Sequence, residues 1–190
     1  MSGAGAAGAA DTDVLVVVGT DKHPFNRLMD WIEGWYAGRA EPPTVVVQHG
    51  SSRVPDVPGA TAFLGHAELG GAMAGARIVV SHGGPATIAE ARAAGRLPIV
   101  VARDPEYGEH VDEHQMRYTA RLATAGEIRL CRSAEEFHRA LDEGLAAPAA
   151  FQIDQAAEQD RFAAREQAAA RVGRIVEELV RTADRRRGVR

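Results

Sequence analysis

The sequence predicts an α/β domain built on a doubly wound, Rossmann-like parallel sheet. Short β-branched runs alternate with stretches of helical periodicity, the pattern of successive βαβ units. The first run, Val14-Leu15-Val16-Val17-Val18, is apolar at every position, as a strand covered on both faces must be. A later run, Arg77-Ile78-Val79-Val80, leads into Ser81-His82-Gly83-Gly84-Pro85-Ala86-Thr87-Ile88-Ala89-Glu90, a strand followed by a glycine turn and a helix start.

The elements follow in order. The 190 residues fit one domain. Met1 to Ala10 is rich in Gly and Ala, and residues 1–12 read as a disordered tail. That tail has no basic start and no strongly apolar stretch, which argues against a signal peptide. Gly19-Thr20 ends the first strand. Phe25, Leu28, Met29, Ile32, Trp35 and Tyr36 then recur at helical spacing, with Trp31 and Trp35 one turn apart, an aromatic stripe suited to a core. Pro42-Pro43 closes the unit. Thr44-Val45-Val46-Val47 is the second strand, and it runs into the polar loop Gln48-His49-Gly50-Ser51-Ser52. Thr61 to Leu64 reads as a third strand, Ala67 to Ala74 as a small helix, and Ile88 to Ala94 as the helix after the glycine turn. Gly95 stops that helix, and Leu97 to Ala102 is the next strand, with Pro98 near its start. A loop rich in charge and histidine, Asp104 to His114, precedes a helix from about Glu113 to Thr124 and a last strand from Glu127 to Cys131. Ser133-Ala134-Glu135-Glu136 has the form of a capping box. The α/β unit is thereby bounded at residues 13–148. Residues 149–190 form a polar, alanine-rich connection (Ala149 to Asp160), a long helix and a basic tail. Phe162, Ala169, Val172, Ile175, Val176, Leu179 and Val180 make one apolar stripe on that helix, to be covered by its own domain or by a partner chain.

Composition narrows the function. A net charge of −4 argues against nucleic-acid binding. No apolar stretch is long enough to span a bilayer. The lone Cys131 makes no internal disulfide, which fits a reducing cytoplasm and a small buried side chain at a strand end. Arg181, Arg185, Arg186, Arg187 and Arg190 crowd the C-terminus. Such a tail is either solvated or in contact with anionic lipid or an acidic partner, so the expected location is the cytoplasm or the inner face of a membrane.

The chemistry concentrates between Ser81 and Glu90. The first amides of a helix have no helical acceptor, and the macrodipole makes them attractive to anions. Gly83 and Gly84 permit a tight turn and a close approach, and Pro85 suits the first helical position. Thr87 offers a hydroxyl in the first turn, and Glu90 shares its helix face three residues on. Phosphate near Thr87 and a diol near Glu90 would describe a sugar nucleotide. The alternative is an ordinary strand-to-helix turn. His82 either contacts donor or acceptor or simply ends its strand. His110 and His114 are four apart with Asp112 and Glu113 nearby, but the sequence shows no third ligand at fixed spacing, so no metal is expected.

Three segments together resemble a known family. They are Val18-Gly19-Thr20 with Pro24-Phe25-Asn26-Arg27-Leu28, Ser81 to Glu90, and Gly108-Glu109-His110-Val111-Asp112-Glu113-His114-Gln115. The chain resembles, from about Val14 to Leu145, the C-terminal nucleotide-sugar-binding domain of GT-B glycosyltransferases of the family 28 type. Within that group it is most similar to the small donor-binding subunit of split enzymes that act on polyprenol diphosphates or build exopolysaccharides. The resemblance implies a UDP-sugar as substrate and no cofactor or metal. It implies that Gly19 and Thr20 approach the diphosphate, that Ser81 and His82 border it, and that Gly83, Gly84, Ala86 and Thr87 cradle it. Glu90 would accept from the ribose hydroxyls, and Glu113, His114 and Gln115 would lie near the transferred sugar. No catalytic residue is assigned. A GT-B enzyme has a second half that binds the acceptor, and this chain has no room for it. The expectation is therefore an inverting hexosyltransferase completed by a separate, membrane-associated acceptor-binding chain. The alternative is a non-catalytic nucleotide-sugar-binding or regulatory module. A dinucleotide-dependent oxidoreductase fits less well: Asp104 lies about twenty residues after the glycines, but Gly-x-Gly-x-x-Gly is missing.

Overall fold

The structure is a computed structural model and describes residues 12–187. Most of the expected N-terminal tail, and Arg190 of the basic tail, lie outside the described residues. The elements are β1 (Val14–Val17), α1 (Asn26–Ala37), β2 (Val45–Gln48), β3 (Gly59–Thr61), α2 (His66–Gly75), β4 (Ile78–Ser81), α3 (Pro85–Ala93), β5 (Ile99–Val100), α4 (His114–Thr124), β6 (Arg129–Leu130), α5 (Ala134–Ala146) and α6 (Gln155–Arg187).

The six strands form one sheet in the order β3-β2-β1-β4-β5-β6, with every pairing parallel. The doubly wound Rossmann-like fold is therefore present. Strand order reverses between β1 and β4, and open α/β sheets bind ligands outside the carboxyl ends at such a point. β1 is paired on both edges, Val14 with Val45 and Ile78, and Val17 with Gln48 and Ser81. Its side chains are apolar throughout because both faces are covered. Val14, Val16 and Val18 pack with Phe25, Leu28, Met29 and Ile32 and with Phe137 and Leu141 of α5. Leu15 and Val17 pack on the opposite face with Met73, Val79 and Ala91.

Several boundaries differ from the sequence reading, and two of the differences go beyond an element's length. The third strand is Gly59–Thr61, not Thr61 to Leu64, and Phe63 is exposed. Its register is set by pairing, Val46 with Gly59 and Gln48 with Thr61. A Cβ at position 59 would collide with the Val45 carbonyl oxygen, so glycine lets the strand approach there. The connection after Ala146 also differs. Pro148–Phe151 forms a 3₁₀ turn, and Phe151 is buried in the core beside α5. Leu97 N donates to Phe151 O (2.8 Å) and Ile153 N to Gly95 O (3.0 Å), so the segment is fastened to the loop ahead of β5.

The chain divides between Ile153 and Asp154. The second unit is α6, which starts where Asp154 Oδ1 accepts from Ala156 N (2.9 Å). On it Val172, Ile175 and Val176 are more than half exposed. The side chains of Phe162, Leu179 and Val180, also part of the expected stripe, lie outside the described ones. Among the described residues no helix is long and apolar enough to cross a membrane.

Truncating Phe151 tests its place in the core. Phe151→Ala should cost about 3 kcal/mol or more, the usual penalty for a buried phenyl. Denaturant unfolding measures it, and a solvated connection would give a change near zero.

Candidate functional site

The loops after β1, β2 and β4 meet at the carboxyl edge of the sheet. His82, the first residue after β4, is buried, and its Nδ1 lies 3.4 Å from Val17 O. The imidazole occupies the gap between two glycines. A Cβ at Gly19 would sit 2.9 Å from His82 Cε1, and one at Gly84 would sit 2.5 Å from His82 Nε2. These glycines are thus required by the histidine ring, whatever else approaches them. Burial pushes the His82 imidazole down from 6.5 to about 4, and the positive charge of Arg103 adds to that. The ring is neutral at physiological pH.

Behind His82 the chain turns through Gly83, at φ +90°, into α3. Gly83 N donates to Ser81 Oγ at 3.4 Å, and Ser81 is fully buried. Gly84 is the N-cap, Pro85 takes the first helical position, and no side chain caps the helix. The first-turn amides that remain therefore have no helical acceptor and no capping oxygen. Ala86 is exposed and Thr87 half-buried beside them. Glu90, one turn on, is half-buried, and its carboxylate has no partner among the described residues. A polar turn with free donors at one end and a free carboxylate at the other can take an anion and a hydroxyl group together. Thr20 is exposed on the β1 side of the same edge.

Three further side chains fasten this edge. Arg103, just past β5, is 1% exposed. Its Nη1 donates to His23 O (2.7 Å) and Glu109 O (3.1 Å), and its Nη2 donates to Val18 O (2.9 Å). Burial pulls this guanidinium below its ordinary range, and the nearby carboxylates of Asp21 and Glu109 oppose that pull. Arg27, at the start of α1, makes a two-pronged pair with the buried Glu109, Nε to Oε1 at 3.0 Å and Nη2 to Oε2 at 2.7 Å. Glu109 also accepts from Asp104 N (2.9 Å).

Glu113, His114 and Gln115 start α4 and have different surroundings. Glu113 is the exposed N-cap residue and pairs with Arg117 at 2.9 Å. It also lines a cavity of about 460 Å³ with Arg27, Asp104, Met116 and Arg117, beside the carboxyl ends of β5 and β6. His114 is exposed and bonded to Asp112. Gln115 is buried, with its Oε1 lacking a partner, and Gln48 Oε1 at the end of β2 is in the same condition. Cys131 is buried, which pushes its thiol up to about 12 and leaves it inert at neutral pH.

A family model described as the glycosyltransferase family 28 C-terminal domain matches residues 13–172. The chain belongs to this family. Two solved glycosyltransferases of the GT-B class share the fold of this family 28 domain. One is described as the glycotransferase of kitacinnamycin (TM-score 0.51, 17% identity, 74% of this chain and 37% of that chain). The other is the calicheamicin glycosyltransferase CalG4 (TM-score 0.50, 20% identity, 74% of this chain and 36% of that chain). The family 28 chain thus spans little more than a third of the length of either. No curated protein gives a significant match.

Arg103 had no role in the sequence reading, and Gln48, Arg27 and Glu109 appeared only within quoted segments. The usable signal was an arginine directly after a buried strand, Ile99-Val100-Val101-Ala102-Arg103, where the head group has to find acceptors inside the fold.

His82 generates a pH prediction. The unfolded chain takes up the imidazole proton near 6.5 and the folded chain only near 4. Between those values protons favour the unfolded chain, so stability falls as pH falls, by about 3 kcal/mol from this group, and is flat above and below. Unfolding free energies of the native chain and of His82→Asn, compared from pH 7.5 to 4, should show that difference. Parallel curves would mean that His82 takes up its proton as readily in the folded chain as in the unfolded one.

Proposed function

We propose that this chain is the donor-binding half of a glycosyltransferase, which takes a UDP-sugar and completes its active site with a separate acceptor-binding chain. The observation that supports this most is the uncapped start of α3 beside the β1–β4 crossover, with the partnerless Glu90 one turn along. Family membership and the shared GT-B fold point the same way. In this reading the diphosphate lies against Gly83, Gly84, Ala86 and Thr87, with Gly19 and Thr20 opposite. Glu90 accepts from the ribose hydroxyls, and Gln115 reaches the sugar through its free carboxamide oxygen.

The chemistry follows from those placements. An acceptor oxygen attacks the anomeric carbon, the bond from that carbon to the β-phosphate oxygen breaks, and UDP leaves with the electron pair. Negative charge grows on the β-phosphate as it leaves. The α3 amides are aimed there beforehand and stabilise that charge without rearranging. The proton on the acceptor goes to a base on the acceptor-binding chain.

Calorimetry with UDP tests the donor site. The chain should bind UDP, and Glu90→Ala should weaken binding by about 1–3 kcal/mol. Unchanged affinity would remove Glu90 from the ribose. The split-site part has its own test: incubated alone with UDP-GlcNAc and a polyprenol diphosphate, the chain should bind the donor and transfer nothing. Transfer by the chain alone would overturn the need for a second chain.

A further inference from the structure

The histidine-rich loop ahead of α4 brings together a set of ligands that the sequence does not place. His110, Asp112 and His114 offer one ligand atom each, and these atoms lie within 4.8 Å of one another. We propose that His110, Asp112 and His114 form a site for a divalent transition metal, with zinc the best match.

The donor set sorts the metals. Two imidazoles and one carboxylate suit zinc and its neighbours, whereas magnesium and calcium prefer all-oxygen shells. Zinc bonds of 2.0–2.1 Å at tetrahedral angles put ligand atoms about 3.3 Å apart. His110 Nδ1 and Asp112 Oδ1 are already 3.5 Å apart. His114 Nδ1 and Asp112 Oδ1 are in direct hydrogen-bond contact. A metal between them takes the place of the proton they share, and the proton of that imidazole moves to Nε2. The widest pair has to close by at most about 1.5 Å. The His110 side chain is 11% exposed, and the exposed side chains of Asp112 and His114 rotate to meet it.

The backbone holds the three on one side before any metal arrives. His114 N donates to Asp112 Oδ1 (3.0 Å), and Asp112 N donates to His110 Nδ1 (3.3 Å), a bond that gives way when zinc takes the single Nδ1 lone pair. The two imidazole rings meet edge to face with centres 4.8 Å apart. His110 and His114 are not on one helix face: His110 lies in the loop, and His114 opens α4. The alternating His-x-Asp-x-His spacing in a bent segment makes Asp112 the missing third ligand. Three protein ligands leave a position open to water or to an oxygen of a bound molecule. Gln115 follows immediately, with its buried Oε1 unpartnered. The proposal is independent of the donor-binding reading, because it needs only metal binding by the chain itself.

Calorimetry of the purified chain with zinc chloride is the test. One zinc ion should bind per chain, and magnesium should give no signal. His110→Ala, His114→Ala and Asp112→Asn should each weaken zinc binding by about tenfold or more, since even partners of ligands matter that much. His66→Ala, on exposed α2, should leave it unchanged. Circular dichroism confirms the fold of each variant without metal. The exposed pair, Asp112→Asn and His114→Ala, decides the matter if His110→Ala does not fold. No binding of zinc, binding unchanged in those two variants, or an equal loss in His66→Ala would overturn the site.

Discussion

The guanidinium of Arg103 is almost wholly buried and donates through Nη1 and Nη2 to the carbonyls of Val18, His23 and Glu109, while its Nε has no partner among the described residues. Charged hydrogen bonds contribute about 1.5–3 kcal/mol each. Removing the charge from water costs several kcal/mol. The two nearly offset, so this residue matters less for stability than for position. It joins the end of β1, the loop that leads to α1 and the loop after β5 at one point. Asp21 and Glu109 supply the balancing carboxylates, and Glu109 is itself gripped by Arg27 from the start of α1. Two segments far apart in sequence, Val18 to Arg27 and Arg103 to Glu109, are thereby held in one arrangement around the crossover.

That arrangement decides the charge state of the site. Arg103 and the desolvation of the imidazole act in the same direction on His82, and both disfavour its cation. A neutral ring can then sit between Gly19 and Gly84 without a counter-ion. No lysine stands in the glycine turn, so the available positive potential near α3 comes from oriented amides. The glycines serve the packing of His82 first, and the open face of α3 is what remains for a ligand.

Much of the fold was legible because it is written in contiguous residues. β1 reads as buried on both faces since five successive apolar residues allow nothing else. The strand, turn and helix start from Ile78 to Glu90 were equally plain, with α3 starting at Pro85 rather than Ile88. β3 was misplaced because its register comes from pairing with β2 and from one glycine, neither of which hydropathy reports. Phe151 was missed because a single aromatic in an alanine-rich stretch has no periodicity. In the site, the Arg103 and Arg27 contacts span 85 and 82 positions and leave no local pattern. Gln115 stood out only through the family resemblance, and its unsatisfied oxygen is visible only once α4 is folded.

The open groups of α3 also bear on why a second chain is needed under the proposed function. An uncapped helix turn and an unpaired carboxylate cost little while water can reach them. Their stabilisation of a leaving phosphate is then weak, because charges about 4 Å apart interact by only ~1 kcal/mol in water and several times that in a drier site. Oriented amides accelerate transfer strongly only when solvent is excluded. No described residue of the first compact unit, which ends at Ile153, covers the exposed Thr20 and Ala86. A body that brings the acceptor over this edge would therefore do two things at once. It would supply the nucleophile, and it would dry the groups that make UDP a good leaving group. Binding of donor and turnover of donor are separable on this account, because the first needs only this chain and the second needs the edge closed.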